Sequence, residues 1–131
     1  MRLPLHLLFQ MKAEIKRLHS PDVYDLKNYR PEKPENFSFL LQVLVGQRRT
    51  KGEESFDFIV CTPKWLLSNN NKKNILFGTY HLIVFEYDYE NLLSTLKKCI
   101  ESVEESDWLH LAQKIGRFGQ WEFQDYREFK D

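Results

Sequence analysis

The side chains able to do chemistry are scattered along this sequence. One group could converge if two segments pair as strands: Glu54 and Asp57 in the first, His81 and Glu86 in the second. Carboxylates and an imidazole around one point could hold a divalent cation or share general acid and base work. Each is equally the polar residue an exposed strand position carries. His19, followed by Ser20-Pro21-Asp22, is expected to cap local backbone rather than act as a base. No serine sits in a G-x-S-x-G elbow, and neither Cys61 nor Cys99 lies in a nucleophile motif. The 5 glycines form neither dinucleotide fingerprint nor phosphate loop. With no C-x-x-C pair and no regular histidine spacing, zinc lacks its ligands. No catalytic, cofactor-binding or metal-binding set is therefore assigned, and no cofactor is expected.

What must position any site is a packed core. A chain of 131 residues with 42% hydrophobic and 15% aromatic content can bury enough surface to fold without disulfides. Cys61 and Cys99 are expected to be buried, reduced thiols. The apolar run Leu3 to Phe9 is interrupted by Pro4 and His6 and lacks a small-residue cleavage site, so it makes a poor signal peptide and is too short to span a bilayer. Met11 opens the first readable strand. Residues 1–10 are therefore expected to be an N-terminal extension outside the fold, with one domain over 11–131.

Met11 to Leu18 alternates apolar and charged residues, the pattern of a half-exposed strand, and its charges suit a sheet edge. His19 to Glu35, with three prolines, reads as a long ordered loop. Phe37 to Val45 is apolar on nearly both faces and belongs mid-sheet. Gly46 to Glu53 makes a hairpin loop with Arg48, Arg49 and Lys51 at its tip, a solvated turn or a contact. The next strand, Ser55 to Cys61, turns Phe56, Phe58 and Val60 inward. Thr62-Pro63 then starts a short helix, because threonine caps free amides and proline fits the first turn. Ile75 to Phe77 and Tyr80 to Tyr87 carry the last strong strand signal.

From Asp88, Leu92, Leu96, Cys99, Ile100 and Val103 recur at helical spacing. A second helix begins at Ser106-Asp107, with Trp108, Leu111, Ala112 and Ile115 as its stripe and Gly116 or Gly119 as its stop. Trp121 to Tyr126 alternates aromatic and polar residues and adds a short strand or lies across the core. Strands first and helices after give an α+β fold, an antiparallel sheet of four to five strands with two main helices packed on one face. Trp108 is placed in the core. Trp65 or Trp121, if exposed beside Tyr87, Tyr89 or Tyr126, would anchor a protein partner.

Formal charge is zero from 19 basic and 19 acidic residues, which argues against a general nucleic-acid binder. The sum hides an asymmetry. Residues 1–85 carry 13 basic and 8 acidic groups, net +5, and residues 86–131 carry 6 and 11, net −5.

Several stretches in order carry a resemblance: Met-Lys-Ala-Glu-Ile-Lys-Arg-Leu-His-Ser-Pro-Asp at 11–22, Asn-Phe-Ser-Phe-Leu-Leu-Gln-Val at 36–43 and Glu-Ser-Phe-Asp-Phe-Ile-Val-Cys-Thr-Pro-Lys-Trp-Leu at 54–66. Phe77-Gly78, the run Leu82 to Tyr87, Trp108 and Trp121-Glu122-Phe123 extend it. Over about 11–126 the chain resembles the immunity protein 8 family. The resemblance implies a small α+β protein of the bacterial cytoplasm, encoded beside a polymorphic or contact-dependent toxin and neutralising that toxin's C-terminal domain by stoichiometric occlusion or allosteric locking. It transfers no catalytic residues.

The expected toxin-binding residues come from charge instead. Asp88, Glu90, Glu101, Glu104, Glu105 and Asp107 would meet a basic surface, such as the substrate cleft of a nuclease. The competing readings are a small-ligand or peptide-binding module without a toxin partner, and a metal-dependent hydrolase built on Glu54, Asp57, His81 and Glu86.

Overall fold

The structure, a computed structural model, describes residues 10–70 and 74–125. The extension expected over 1–10 lies, apart from Gln10, outside the described residues, as does Tyr126.

Strand β1 (Met11–His19) pairs antiparallel with β2 (Ser38–Gln47), and β2 with β3 (Glu54–Cys61). On β2, Phe39, Leu41, Val43 and Val45 are buried and alternate with half-buried Leu40, Gln42 and Leu44, as a central strand requires. Phe56, Phe58 and Val60 of β3 face the same core. Burying side chains of this size contributes roughly 1.5–3 kcal/mol each. In β1 the register slips between Ile15 and Arg17, leaving Lys16 as an extra residue. That bulge carries the core-facing series from Ala13 and Ile15 across to Leu18, since one inserted residue exchanges the faces of a strand. The Lys16 ammonium reaches the carboxylate of Glu14 at 2.8 Å and the carbonyl of Thr50, fastening the bulge to the β2–β3 turn. That turn is tight: a Cβ on Gly46 would lie 1.9 Å from the carbonyl oxygen of Gly52.

Helix α1 (Pro63–Asn69) starts as its sequence predicts. Thr62 caps it, its Oγ1 accepting from the Trp65 amide at 3.3 Å, with Pro63 in the first turn. The same hydroxyl oxygen accepts the Phe37 amide at 3.2 Å, and the Thr62 amide donates to the Phe37 carbonyl, so one buried side chain joins the helix to the start of β2.

Strand β4 (His81–Ile83) then runs parallel to β3, with Val60 opposite Leu82. The expected sheet of four to five antiparallel strands is therefore corrected to a mixed sheet of six strands with three helices among the described residues. The physical reason is α1, which carries the chain back along β3 so that the next strand points the same way. The strand signal at Tyr80–Tyr87 also shrinks to three residues. Tyr80 has a positive φ of 62°, and beyond Val84 the chain leaves the sheet.

Helices α2 (Tyr89–Ile100) and α3 (Trp108–Ile115) are capped by Asp88 and Asp107, whose carboxylates accept the amides of Asn91 and His110. They add Leu92, Leu96 and Ile100, and Leu111, Ala112 and Ile115, to the core. Between them β5 (Glu104–Glu105) pairs with Met11 and Lys12 and covers the outer edge of β1 there. Finally β6 (Gln120–Trp121) pairs antiparallel with Phe56 and Asp57, so the edge of β3 away from β2 is divided between β6 and β4.

The loop between β1 and β2 is ordered from within. Ser20 Oγ accepts the amides of Asp22 and Val23, Asp22 accepts the Leu40 amide, and Asp25 accepts from Asn28. Tyr29 then packs edge-on to Phe37, Phe39 and Tyr87, with ring centroids 5.1–6.3 Å apart. The Tyr87 hydroxyl donates to the Leu26 carbonyl, and burial pushes its pKa up to about 12. Loop and pre-α2 segment are thus one aromatic cluster.

Candidate functional site

The six acidic positions fall into two groups. Asp88 caps α2 and Glu90 sits in its first turn, on the side of the sheet where the chain leaves β4. Glu101, Glu104, Glu105 and Asp107 lie at the far end, around β5, the opposite end of the strand order. A 12-residue helix separates the groups by about 18 Å.

The second group is already partnered. The Glu101 carboxylate accepts the Ile15 amide at 2.9 Å, at the bulge. Glu104 lies 3.5 Å from Lys12 Nζ, and Glu105 2.7 Å from Lys114 Nζ. The Lys114 ammonium holds the Glu105 carboxyl below its ordinary pKa. The His110 amide, then its ring, do the same for Asp107, whose carboxylate receives His110 Nδ1 at 2.7 Å. Sequence reasoning placed these residues on an acidic surface. It did not show that they also close the sheet edge and, at Asp107, cap α3.

The proposed acid–base group does not assemble. Glu54 and Asp57 stand three apart on one strand and so face opposite sides of the sheet. Glu54 accepts the Trp108 indole Nε1, Asp57 accepts the Ser55 hydroxyl, and His81 Nδ1 donates to the Thr79 carbonyl. Glu86 lies beyond the end of β4. Among the described residues no three His, Cys, Asp or Glu side chains are placed to hold a metal ion. His19 Nδ1 pairs instead with Gln42 Oε1 at 2.7 Å.

Arg48, Arg49 and Lys51 are exposed at the hairpin tip. Beside it a cleft of about 290 Å³ runs between the turn and Trp108, floored by Gly46 and Gly52 and edged by Glu53 and Glu54. Trp108 is half-buried rather than fully in the core, and Trp65 and Trp121 are half-buried too, so none is an exposed anchor. Cys61 is buried and Cys99 only partly so, and burial pushes both thiols up. Large exposed apolar side chains gather elsewhere: Leu67, Ile75, Leu76, Phe77, Ile83 and Phe85 all lie in the stretch from α1 to two residues past β4. Ile75 to Phe77 and Tyr80 to Tyr87 read from sequence as strand, of which the fold keeps only His81–Ile83. The flanking Asn69–Asn74 and Gly78 were the available signs of a surface excursion.

The described residues form an α+β fold whose polar side chains mostly cap, bridge and pin its own elements. A model of the family described as immunity protein 8 matches residues 13–126, and the chain belongs to that family. No curated protein and no solved structure matches it. No helix among the described residues is long and apolar enough to cross a membrane.

Proposed function

We propose that this protein is a cytoplasmic, non-enzymatic immunity protein that binds the C-terminal domain of a toxin, made by its own or sibling cells, and blocks it stoichiometrically. The observation that carries the reading is the family match over residues 13–126. The scattered placement of Glu54, Asp57, His81 and Glu86 supports it, since turnover needs groups that converge.

Asp88, Glu90, Glu101, Glu104, Glu105 and Asp107 give the C-terminal third a negative field that would speed capture of a basic domain, of which a nuclease is the natural example. Because five of the six, all but Glu90, also hold a cap, a backbone amide or an ion pair of the fold, their contribution to recognition is long-range attraction more than close contact. The rival reading, a small-ligand module, has the cleft beside Trp108 in its favour. At about 290 Å³ that cleft falls just under the usual range for small-ligand pockets, roughly 300–1,000 Å³.

The test is co-expression with the C-terminal domain of the toxin encoded immediately upstream. Growth rescue with a one-to-one complex is the expected result. Rescue by far less immunity protein than toxin would mean turnover, and no rescue with no complex would end the reading. Reversing Glu104 and Glu105 to lysine should slow association in a salt-dependent way; unchanged affinity and association rate would remove the acidic surface from the account.

A further inference from the structure

The two edges of the sheet are finished differently. At one, β1 carries Lys12, Glu14, Lys16 and Arg17, and β5 covers its start. Charges and cover of this kind are how sheet edges avoid unwanted pairing. At the other, the stretch Tyr80-His81-Leu82-Ile83-Val84-Phe85 contains no lysine, carboxylate or proline.

In the β3–β4 ladder the Ile59 amide donates to the Tyr80 carbonyl and the Val84 amide to the Cys61 carbonyl. The even-numbered residues thus turn their backbone groups to β3. Ile83 turns its N–H and C=O outward, where no backbone group among the described residues meets them. The His81 amide on that side is closed off by the Gly78 carbonyl.

Ile83 also stands between two clefts. One, about 280 Å³, is walled by Leu66, Leu67, Leu76 and His81; the other, about 320 Å³, by Phe85, Tyr87, Asn91 and Thr95. Phe77 is 86% exposed, Phe85 84%, Ile75 81% and Leu67 78%, a concentration of bare apolar surface that marks interaction sites. The charged side chains lining the clefts, among the described residues, are Glu86 and Asp88, both acidic.

From these features, and resting on the immunity reading, we propose that the free edge of β4 is where the toxin seats an extended segment. That segment bonds to the Ile83 backbone, places apolar side chains in the two clefts and sets a lysine or arginine against Glu86 and Asp88. Strand addition supplies its main-chain bonds and the pockets its selectivity. Because β4 offers so short a ladder, the side chains carry most of the affinity, and the basic flank follows from the acidic rim. This surface lies on the Asp88–Glu90 side of α2, so the same acids that attract a basic partner border the place where it docks.

The experiment uses the complex with the toxin domain encoded upstream. Ile83→Asp and Phe85→Asp, both at exposed positions, should leave thermal stability unchanged and speed dissociation at least about tenfold, as loss of apolar anchors does. Glu86→Lys should slow association, and the Ile83 amide should gain hydrogen-exchange protection in the complex. If the wild-type chain binds and both aspartate variants dissociate at its rate, the inference is overturned and the immunity reading stands. If the wild-type chain forms no complex, both fall. A free protein that is dimeric and becomes monomeric on Ile83→Asp, with toxin binding intact, would assign the edge to a second copy and also overturn the inference.

Discussion

The indole of Trp108, at the first position of α3, donates its Nε1 hydrogen to the carboxylate of Glu54, at the first position of β3, with both oxygens within 2.8 Å. The two residues are 54 apart in the chain. Glu54 was a candidate for acid–base chemistry in the sequence; in the fold it anchors a helix to the sheet. Trp108→Phe should keep most of the packing and lose the charged hydrogen bond, lowering unfolding free energy by about 1.5–3 kcal/mol. Denaturant unfolding checks this, and a cycle with Glu54→Gln should show the two losses to be non-additive.

Thr62 serves two backbone amides with one hydroxyl oxygen, at a site 1% exposed. Thr62→Val keeps the shape and strands both donors, so the expected cost is about 1–3 kcal/mol, whereas Thr62→Ser should cost much less. Equal losses in the two variants would show that the methyl group, not the hydroxyl, matters.

Two glycines are fixed by what lies beside them. A Cβ at position 119 would come within 2.5 Å of the Phe58 ring, and one at 46 would strike the Gly52 carbonyl. Gly46→Ala meets backbone that cannot step aside, and should destabilise more than Gly119→Ala, which can push a ring at a cost of about 1–3 kcal/mol. Thermal unfolding of the two variants ranks them.

Tyr87 predicts an alkaline transition. Its pKa is raised from 10.0 to about 12, because burial disfavours the phenolate. The folded state therefore holds the proton more tightly than the unfolded one. Its contribution is complete below pH 10 and is lost as pH rises from 10 toward 12. Unfolding followed against pH should steepen over that window in the wild type and be flatter in Tyr87→Phe. Equal slopes would move the effect elsewhere.

Much of the framework could be read before folding. Alternation placed β1, β2 and β3, spacing placed α2 and α3, and Thr62 caps α1 as its sequence predicts. What escaped is what pairing over distance decides. Two residues at Glu104–Glu105 have no periodicity to detect, and the direction of β4 depends on how α1 returns the chain, not on any residue within the strand. The exposed side chains at Ile75, Leu76, Phe77, Ile83 and Phe85 escape for a sharper reason: apolar composition reports the wish to be buried without saying by what. The acidic candidates were legible as charges but not as helix caps and ion-pair partners, since such partners as Ile15, Lys12 and Lys114 come from other elements.

One edge of β3 is completed by segments that the ribosome makes long after it. The Glu122 amide donates to the Ser55 carbonyl and its carboxylate accepts the Ser55 amide, 67 residues away in sequence. Until β6 emerges, Phe56 and Asp57 have an open flank next to some of the most apolar sequence in the chain. Folding during synthesis therefore leaves this flank of the sheet open until β6 has been made.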